Sequence, residues 1–218
     1  PKPMQGSEAG LPEDAVILCK LNQPYKISPE VMDVWCGLLN EIPNAMLWLL
    51  DWHNQARPNL ETEFEKRGVS LSRLKWAPRL ELEDHLSRLS LADIFIDTWP
   101  CNAHTTASDA LWAGVPVVTL PGETFASRVA SSLLHAVGLD DLICDGLTEY
   151  QRTIKALASD PARRAALRAA LLQARETAPL FDSEKFTRDY EALLHRMHTR
   201  HMQGLPVVSL AAVVSGAV

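Results

Sequence analysis

Short apolar runs alternate with amphipathic segments along most of the chain, and this alternation predicts the class of fold. The first run, AVILCKL at residues 15–21, is typical of a strand that is buried on both faces. We predict six strands in all, over residues 15–21, 45–50, 74–77, 93–97, 117–120 and 142–144.

Helical periodicity and helix-start signals fall between these runs. Ser28 followed by Pro29 predicts a helix start, because serine can cap free N–H groups and proline fits the first turn. We predict helices over residues 29–41, 60–67, 83–89, 105–113, 124–137, 148–158, 161–176 and 183–201. Strands separated by helices indicate βαβ units, so we expect an α/β fold: a six-stranded, doubly wound parallel sheet with helices on both faces and a helical C-terminal extension.

Composition agrees with one folded domain, or with one large lobe of a two-lobe protein. Of the 218 residues, 47% are hydrophobic and 22% are charged, which excludes disorder, collagen and coiled coil as the main state. We expect a linker over residues 1–10, a single lobe over 11–204 and an apolar tail without fixed structure over 205–218. That tail is shorter than the roughly 20 residues of a membrane helix, so we expect no membrane partner. No signal peptide opens the chain and its first residue is proline, so we expect a piece of something longer.

Charge and cysteine usage limit the partners. The net charge is −6 and the basic residues are dispersed, which argues against nucleic acid as a partner. The cysteines are far apart and show no CxxC spacing, so we expect neither a zinc site nor a disulfide framework, but a reducing compartment, the cytoplasm. They are Cys19, Cys36, Cys101 and Cys144.

Two loops at the carboxyl ends of predicted strands are candidates for ligand binding. In the loop after strand four, small and hydroxyl residues open a helix, where free backbone N–H groups and the helix dipole favour an anion. Thr105 and Thr106 add hydroxyl donors there, and Asp109 could accept hydrogen bonds from a ribose diol. The alternative is that one of the threonines is an ordinary N-cap and that Asp109 lies in the first turn without binding a ligand.

The loop after strand one contains Lys26, which could reach a phosphate at the switch point of the sheet. The alternative is a solvated surface lysine. His85 is flanked by carboxylates in a predicted helix. It is either a residue of the site or an exposed histidine without a role. Neither GxGxxG, GxxxxGK[ST], HExxH nor a nucleophile elbow occurs, and the acidic residues do not cluster as a metal site.

The segment CNAHTTASDALWAGVPVVTLPGETFASRVA, residues 101–130, resembles the C-terminal lobe of the protein O-GlcNAc transferases. These enzymes move N-acetylglucosamine from UDP-GlcNAc onto serine and threonine of proteins. The resemblance extends over residues 11–201. Where the sequence diverges from the family, it is similar to bacterial members. It implies a GT-B fold, in which two Rossmann-like lobes enclose the donor and the C-terminal lobe holds the nucleotide. It also implies an upstream catalytic lobe and tetratricopeptide repeats as partners. Supporting segments are LNQPYKISPEVMDVW, IPNAMLWLL and PLFDSEKFTRDYEALL.

The resemblance also implies roles for individual residues. Those that match the diphosphate site are Gln23, Lys26, His104, Thr105 and Thr106. Those that match the rest of the donor site are Asp109 at the ribose, Cys101 in the pocket lining, His85 against the uridine and Arg88 near the base. One position departs from the family, because Leu82 stands where a lysine near the ribose is frequent. We therefore expect weaker contacts to the uridine on that side.

The activity implied by the resemblance is an inverting glycosyl transfer without metal or other cofactor, with Lys26 as the catalytic residue. Lys26 and the helix start would stabilise the leaving diphosphate. No residue of the chain stands out as the general base. Two alternatives remain: a related protein O-fucosyltransferase that uses GDP-fucose, and a non-catalytic nucleotide-sugar-binding or scaffold domain.

Overall fold

The computed structural model describes residues 4–210, and a parallel sheet of five strands forms their centre. The order across the sheet is β3-β2-β1-β4-β5, which confirms the predicted α/β class with a Rossmann-like, parallel sheet. The strands are β1 (Val16–Lys20), β2 (Ala45–Leu50), β3 (Leu74–Ala77), β4 (Ile94–Ile96) and β5 (Val117–Val118).

Eight α-helices surround the sheet in the described part of the chain. Ser28 caps the first of them by accepting a hydrogen bond from the N–H of Val31, as its sequence predicts. They are α1 (Pro29–Glu41), α2 (Ala56–Lys66), α3 (Leu82–Leu89), α4 (Thr105–Trp112), α5 (Val129–Ala136), α6 (Leu147–Ser159), α7 (Pro161–Thr177) and α8 (Ser183–Met202). None of the helices within residues 4–210 combines the length and the apolar character that a bilayer crossing requires.

The sixth predicted strand is wrong. Residues 142–144 contribute one isolated bridge, between Thr119 and Ile143, and not a ladder. The reason is the short space available, because a 3-10 turn occupies Asp140–Leu142 and α6 begins at Leu147. The apolar character of the segment reflects burial beside the sheet edge.

Two predicted helices begin elsewhere in the structure. The helix α2 begins at Ala56 rather than at residue 60, and no side chain caps its start, so the sequence carries no cap signal. The helix predicted from residue 124 begins as a 3-10 turn over Phe125–Ser127, and α5 follows from Val129. Thr124 and Ser127 cap each other's backbone across this turn, which closes it before the α-helix starts.

The chain ends differ in how far they pack. Residues 6–10 form turns, and Leu11 is buried against the core. Residues 205–210 have no regular secondary structure and Val207 is fully exposed. The rest of the apolar segment predicted over residues 205–218 lies outside the described residues.

The strand order brings two loops together. The strands β1 and β4 are neighbours, and from them the sheet continues in opposite directions, with β2 on one side and β5 on the other. The loops after β1 and β4 therefore meet at the carboxyl edge of the sheet, at its topological switch point, where open α/β sheets bind ligands.

Candidate functional site

A cavity of about 330 Å³ opens at this switch point. The loops after β1, β2 and β3 line it together with α3 and α4. Its lining residues are Leu21, Asn22, Gln23, Leu50, Trp52, Arg79, Leu80, His85, Arg88, Thr106 and Asp109. Five residues of the predicted site line this cavity: Gln23, His85, Arg88, Thr106 and Asp109.

The start of α4 faces this edge without a side-chain cap. His104 occupies the N-cap position and its side chain makes no capping hydrogen bond, so neither threonine is the N-cap. No acidic residue lies in the first turn. Thr106 Oγ1 accepts a hydrogen bond of 3.2 Å from Asn22 Nδ2, which ties the helix to the loop after β1. Uncapped N–H groups and the positive end of the helix dipole make this start suitable for an anion.

Lys26 is held at the same edge. It ends a 3-10 turn over Pro24–Lys26, and its Nζ donates to the carbonyl oxygen of Asn102 at 2.6 Å. The side chain is half-buried rather than free in solvent. The ammonium therefore lies beside the loop that leads into α4, although it does not line the cavity.

His85 and Arg88 form a pair one helical turn apart on α3. The Nε and Nη2 atoms of Arg88 lie 3.2 and 3.0 Å from His85 Nδ1. Because arginine can only donate, Nδ1 accepts and the imidazole proton lies on Nε2. Burial, together with the positive charge of Arg88, lowers the pKa of His85 to about 4. The histidine is therefore neutral near pH 7 and offers a donor.

Polar atoms in the cavity are available to a ligand. Asn22 is buried, and its Oδ1 has no hydrogen-bond partner among the described residues. Asp109 is half-buried, and this burial raises the pKa of its carboxyl group. An amide oxygen and a carboxylate in one cavity can both accept hydrogen bonds from hydroxyl groups.

The remaining predicted residues flank the start of α4 on another side. Cys101 is partly exposed, and His104 Nε2 lies 3.3 Å from the carbonyl oxygen of Ala126. The His104 ring also packs edge-on against Phe125. These two residues and Thr105 do not line the cavity. The structure thus divides the predicted residues between the cavity and the helix start.

Several polar residues at this edge were missed by the sequence analysis. Lys20 and Asp97 are completely buried at the ends of β1 and β4, and Arg79 lies 4.4 Å above the ring of Trp52 at the cavity rim. A signal for Lys20 exists, because it is the one charge within the apolar run at residues 15–21. Its partner lies 77 residues away, and local patterns do not reveal such pairs.

No group of three or more potential metal-ligating side chains (His, Cys, Asp, Glu) occurs among residues 4–210. The positive groups at the candidate site are side chains and the helix start. The arrangement suits a ligand with hydroxyl groups and an anionic end, because the cavity offers hydrogen-bond acceptors and lies beside the uncapped helix start.

Comparison with known proteins gives consistent matches. A family model described as Glycosyl transferase family 41 matches residues 5–190. The chain is 39% identical over 197 residues to the UDP-N-acetylglucosamine--peptide N-acetylglucosaminyltransferase of Caenorhabditis elegans, covering 90% of this chain and 17% of the relative. It is 38% identical over 199 residues to the probable UDP-N-acetylglucosamine--peptide N-acetylglucosaminyltransferase SEC of Arabidopsis thaliana, covering 91% and 20%. The chain therefore spans about a fifth of the length of these relatives.

Solved structures match the fold as well. A mutant O-GlcNAc transferase from Thermobaculum terrenum superposes with a TM-score of 0.80 at 33% identity, over 87% of this chain and 37% of that one. Sucrose-phosphate synthase from Thermosynechococcus elongatus superposes with a TM-score of 0.63 at 15% identity, over 89% of this chain and 48% of that one. The second likeness shows the fold alone. Both agree with the lobe of a GT-B glycosyltransferase.

Proposed function

Since this chain belongs to glycosyl transferase family 41, we propose that it is the nucleotide-sugar-binding lobe of a protein O-GlcNAc transferase. The enzyme transfers N-acetylglucosamine from UDP-GlcNAc to serine and threonine hydroxyls of proteins. The observation that carries the proposal is the meeting of the uncapped α4 start and the Lys26 ammonium at the switch point of the sheet. An anionic diphosphate is the part of the donor that such a site recognises.

The reaction follows from where charge develops. The acceptor hydroxyl attacks the anomeric carbon from the face opposite the diphosphate, the bond from that carbon to the phosphate oxygen breaks, and UDP leaves with the electron pair. Lys26 and the N–H groups at the start of α4 stabilise the growing negative charge on the leaving oxygen. The proton of the acceptor hydroxyl goes to a base that we assign to the substrate, to water or to the protein outside this chain.

The nucleoside would occupy the cavity. The Asp109 carboxylate and Asn22 Oδ1 would accept hydrogen bonds from the ribose hydroxyls. His85 Nε2–H and Arg88 would face the uracil, which has carbonyl oxygens as acceptors. Leu82 is 63% exposed and supplies no charge. Arg79 is the cation on this rim of the cavity, stacked on Trp52.

In this proposal the protein, and not a metal ion, supplies the positive charge at the diphosphate. Transfer needs no metal ion and no other cofactor, because Lys26 and the helix start face the diphosphate. The upstream catalytic lobe completes the cleft, binds the acceptor protein and excludes water. The relatives' greater length leaves room for that lobe and for tetratricopeptide repeats.

We place the enzyme in the cytoplasm. All four cysteines are unpaired in the structure and three of them are buried, which suits a reducing compartment. Fractionation of cells that express the natural protein tests this, with enrichment in an extracellular or membrane fraction contradicting it.

Nucleotide choice tests the proposal against the GDP-fucose alternative. Calorimetric titration of the 218-residue chain should give tighter binding of UDP than of GDP. Equal or tighter binding of GDP would overturn the choice of donor. The names of the relatives given above contain UDP-N-acetylglucosamine and lend the fucose alternative no support.

Transfer itself separates an enzyme from a scaffold. The chain joined to its upstream lobe should transfer labelled N-acetylglucosamine to proteins of a lysate, and mass spectrometry should find the added sugar on serine or threonine. The 218-residue chain alone should bind UDP without turnover. Binding of UDP without transfer by the joined protein would support the scaffold alternative.

A further inference from the structure

Lys20 and Asp97 form a completely buried ion pair beneath the candidate site. Lys20 is the last residue of β1, and Asp97 follows β4 directly. Their side chains are fully shielded from solvent, and Lys20 Nζ lies 3.5 Å from Asp97 Oδ1. Neither group can touch a ligand in this arrangement, so a role in ligand binding would have to act through other residues.

The Asp97 carboxylate organises the backbone around it. Its Oδ1 accepts hydrogen bonds from the N–H groups of Thr98 at 2.8 Å and Ala103 at 2.7 Å. Its Oδ2 accepts one from the Thr119 hydroxyl at 2.8 Å. Burial raises the pKa of this carboxyl group, and the Lys20 charge and these donors act in the opposite direction. One carboxylate thus ties together both ends of the loop over residues 98–104.

The Lys20 ammonium reaches the same loop. Its Nζ donates to Thr98 Oγ1 at 2.8 Å, and that hydroxyl donates in turn to the carbonyl oxygen of Cys101 at 2.8 Å. Asn102 Nδ2 closes the loop by donating to the carbonyl oxygen of Thr98 at 2.9 Å. The loop is therefore held from inside by two opposite charges and their hydrogen bonds.

The 98–104 loop contacts Lys26 and leads into α4, and these are the two features that face the diphosphate in the proposed function. The carbonyl oxygen of Asn102 is the acceptor for Lys26 Nζ. Ala103, which Asp97 holds, precedes His104 at the N-cap of α4. A shift of this loop would therefore displace both the ammonium and the first N–H groups of the helix.

We propose that Lys20 and Asp97 are a positioning pair that fixes the 98–104 loop, and through it Lys26 and the start of α4, in the geometry that binds the diphosphate. This inference rests on the proposed function. It assigns a role in donor binding to two residues that make no contact with the donor. Loss of the pair should weaken diphosphate binding by more than the loss of a comparable pair elsewhere.

A comparable pair exists at the opposite end of the same two strands. Arg164 Nε lies 3.1 Å from Asp93 Oδ1, and Asp93 Oδ2 accepts a hydrogen bond from the N–H of Ile17 in β1. Asp93 directly precedes β4. This pair offers a control, because Asp93 joins the same two strands without reaching the candidate site.

The double variant Lys20→Met/Asp97→Asn tests the proposal. It removes both charges together, so that no single charge is left buried without a partner. Calorimetry on the 218-residue chain should show at least about tenfold weaker UDP binding, as expected for a displaced binding geometry. The control Arg164→Met/Asp93→Asn should change UDP affinity by less than about twofold, because distant sites act independently.

A spectroscopic readout separates positioning from general destabilisation. In ¹H–¹⁵N spectra of the double variant, the amide signals of Ala103, Thr105 and Thr106 should move, and UDP should no longer shift those of the two threonines. The control should keep the wild-type response to UDP. If both double variants lose stability and UDP affinity in the same proportion, the pair is merely structural and the proposal is wrong.

A second variant decides the matter if the double variant does not fold. Thr98→Val keeps the ion pair and the side-chain shape but removes the hydroxyl that links Lys20 to the loop. It should weaken UDP binding by about fivefold, the size of one lost hydrogen bond. Unchanged UDP affinity in Thr98→Val would overturn the positioning role. If wild-type protein itself failed to bind UDP, the proposed function would fall first.

Discussion

The two ends of the β1–β4 strand pair each carry an ion pair, and the two pairs differ in burial and in what surrounds them. At the carboxyl end, Lys20 and Asp97 are fully shielded and hold a loop that leads into a helix. At the amino end, the side chains of Arg164 and Asp93 are 16% and 27% exposed. The same strands thus carry a fully buried ion pair beside the candidate site at one end and a partly exposed ion pair away from it at the other.

The cavities at the two ends show why size does not identify the site. The cavity at the amino edge is the larger, at about 940 Å³ against about 330 Å³. The crossover helices run opposite to the strands, so their carbonyl ends point toward the amino edge and disfavour anions there. Arg73 satisfies such carbonyls, since it donates to those of Leu39 and Ile42 at the end of α1. The polarity of the helices, rather than the volume of the cavity, makes the carboxyl edge the more suitable one for an anion.

The largest expected effect is on stability at the carboxyl end. Lys20→Met alone leaves the Asp97 carboxylate buried without its cation, and should lower the free energy of unfolding by about 3–5 kcal/mol. Asp93→Asn removes the negative charge of the partly exposed pair at the amino end and should cost about 1 kcal/mol or less through the lost charge pairing. Urea unfolding of both variants at pH 7 measures the difference. Equal losses would remove the contrast between the two ends.

The next effect is on catalysis. Lys26→Ala in the protein joined to its upstream lobe should lower kcat on the order of 10²- to 10³-fold, because about 3 kcal/mol of transition-state stabilisation is lost. UDP binding should weaken less, because the charge on the leaving oxygen grows only during transfer. Lys155→Ala, at the amino-edge cavity, is the control and should leave kcat unchanged. If the Lys26→Ala enzyme keeps more than about a third of the wild-type kcat, Lys26 has no catalytic role.

A smaller effect concerns pH. His85 has a folded-state pKa of about 4, below the value of roughly 6.5 for an unfolded histidine. Between these values the unfolded chain binds a proton that the folded chain does not, so His85 lowers stability as the pH falls from about 6.5 to 4. In urea unfolding at pH 7 and pH 5, His85→Gln should lose less stability on acidification than wild type. The same loss in both proteins would contradict the low pKa.

The last prediction is that removal of metal ions does not change the rate of transfer. Chelation with EDTA should leave transfer by the joined protein unchanged, because in the proposed reaction Lys26 and the α4 start supply the positive charge. Loss of transfer with EDTA and its return with Mn²⁺ would show that a metal ion acts at the carboxyl edge instead.

The strands β1 and β2 were predictable because they are buried on both faces. All five residues of β1 and all six of β2 are buried, so each strand reads as an apolar run. The same signal failed at residues 142–144, since apolar character does not distinguish a single bridge from a ladder. Periodicity reports only on near neighbours along the chain.

The site was predictable where its residues act locally. The helix start with Thr105 and Thr106 follows from a short segment, whereas His85 and Arg88 were named together only through the resemblance. The bond from Lys26 to Asn102 joins residues 76 positions apart, and the Lys20–Asp97 pair is similarly distant. Such pairings depend on strand order, which local patterns leave open.

The bond from Lys26 to the Asn102 carbonyl also has an entropic consequence. A free lysine side chain has about 2 kcal/mol of rotamer entropy, which a solvated lysine would lose when it orders on a ligand. Here the stem is already ordered by a bond that uses one of the three ammonium protons, and two protons remain for an incoming anion. The ordering takes place during folding, so the binding of an anion there needs little further loss of side-chain freedom.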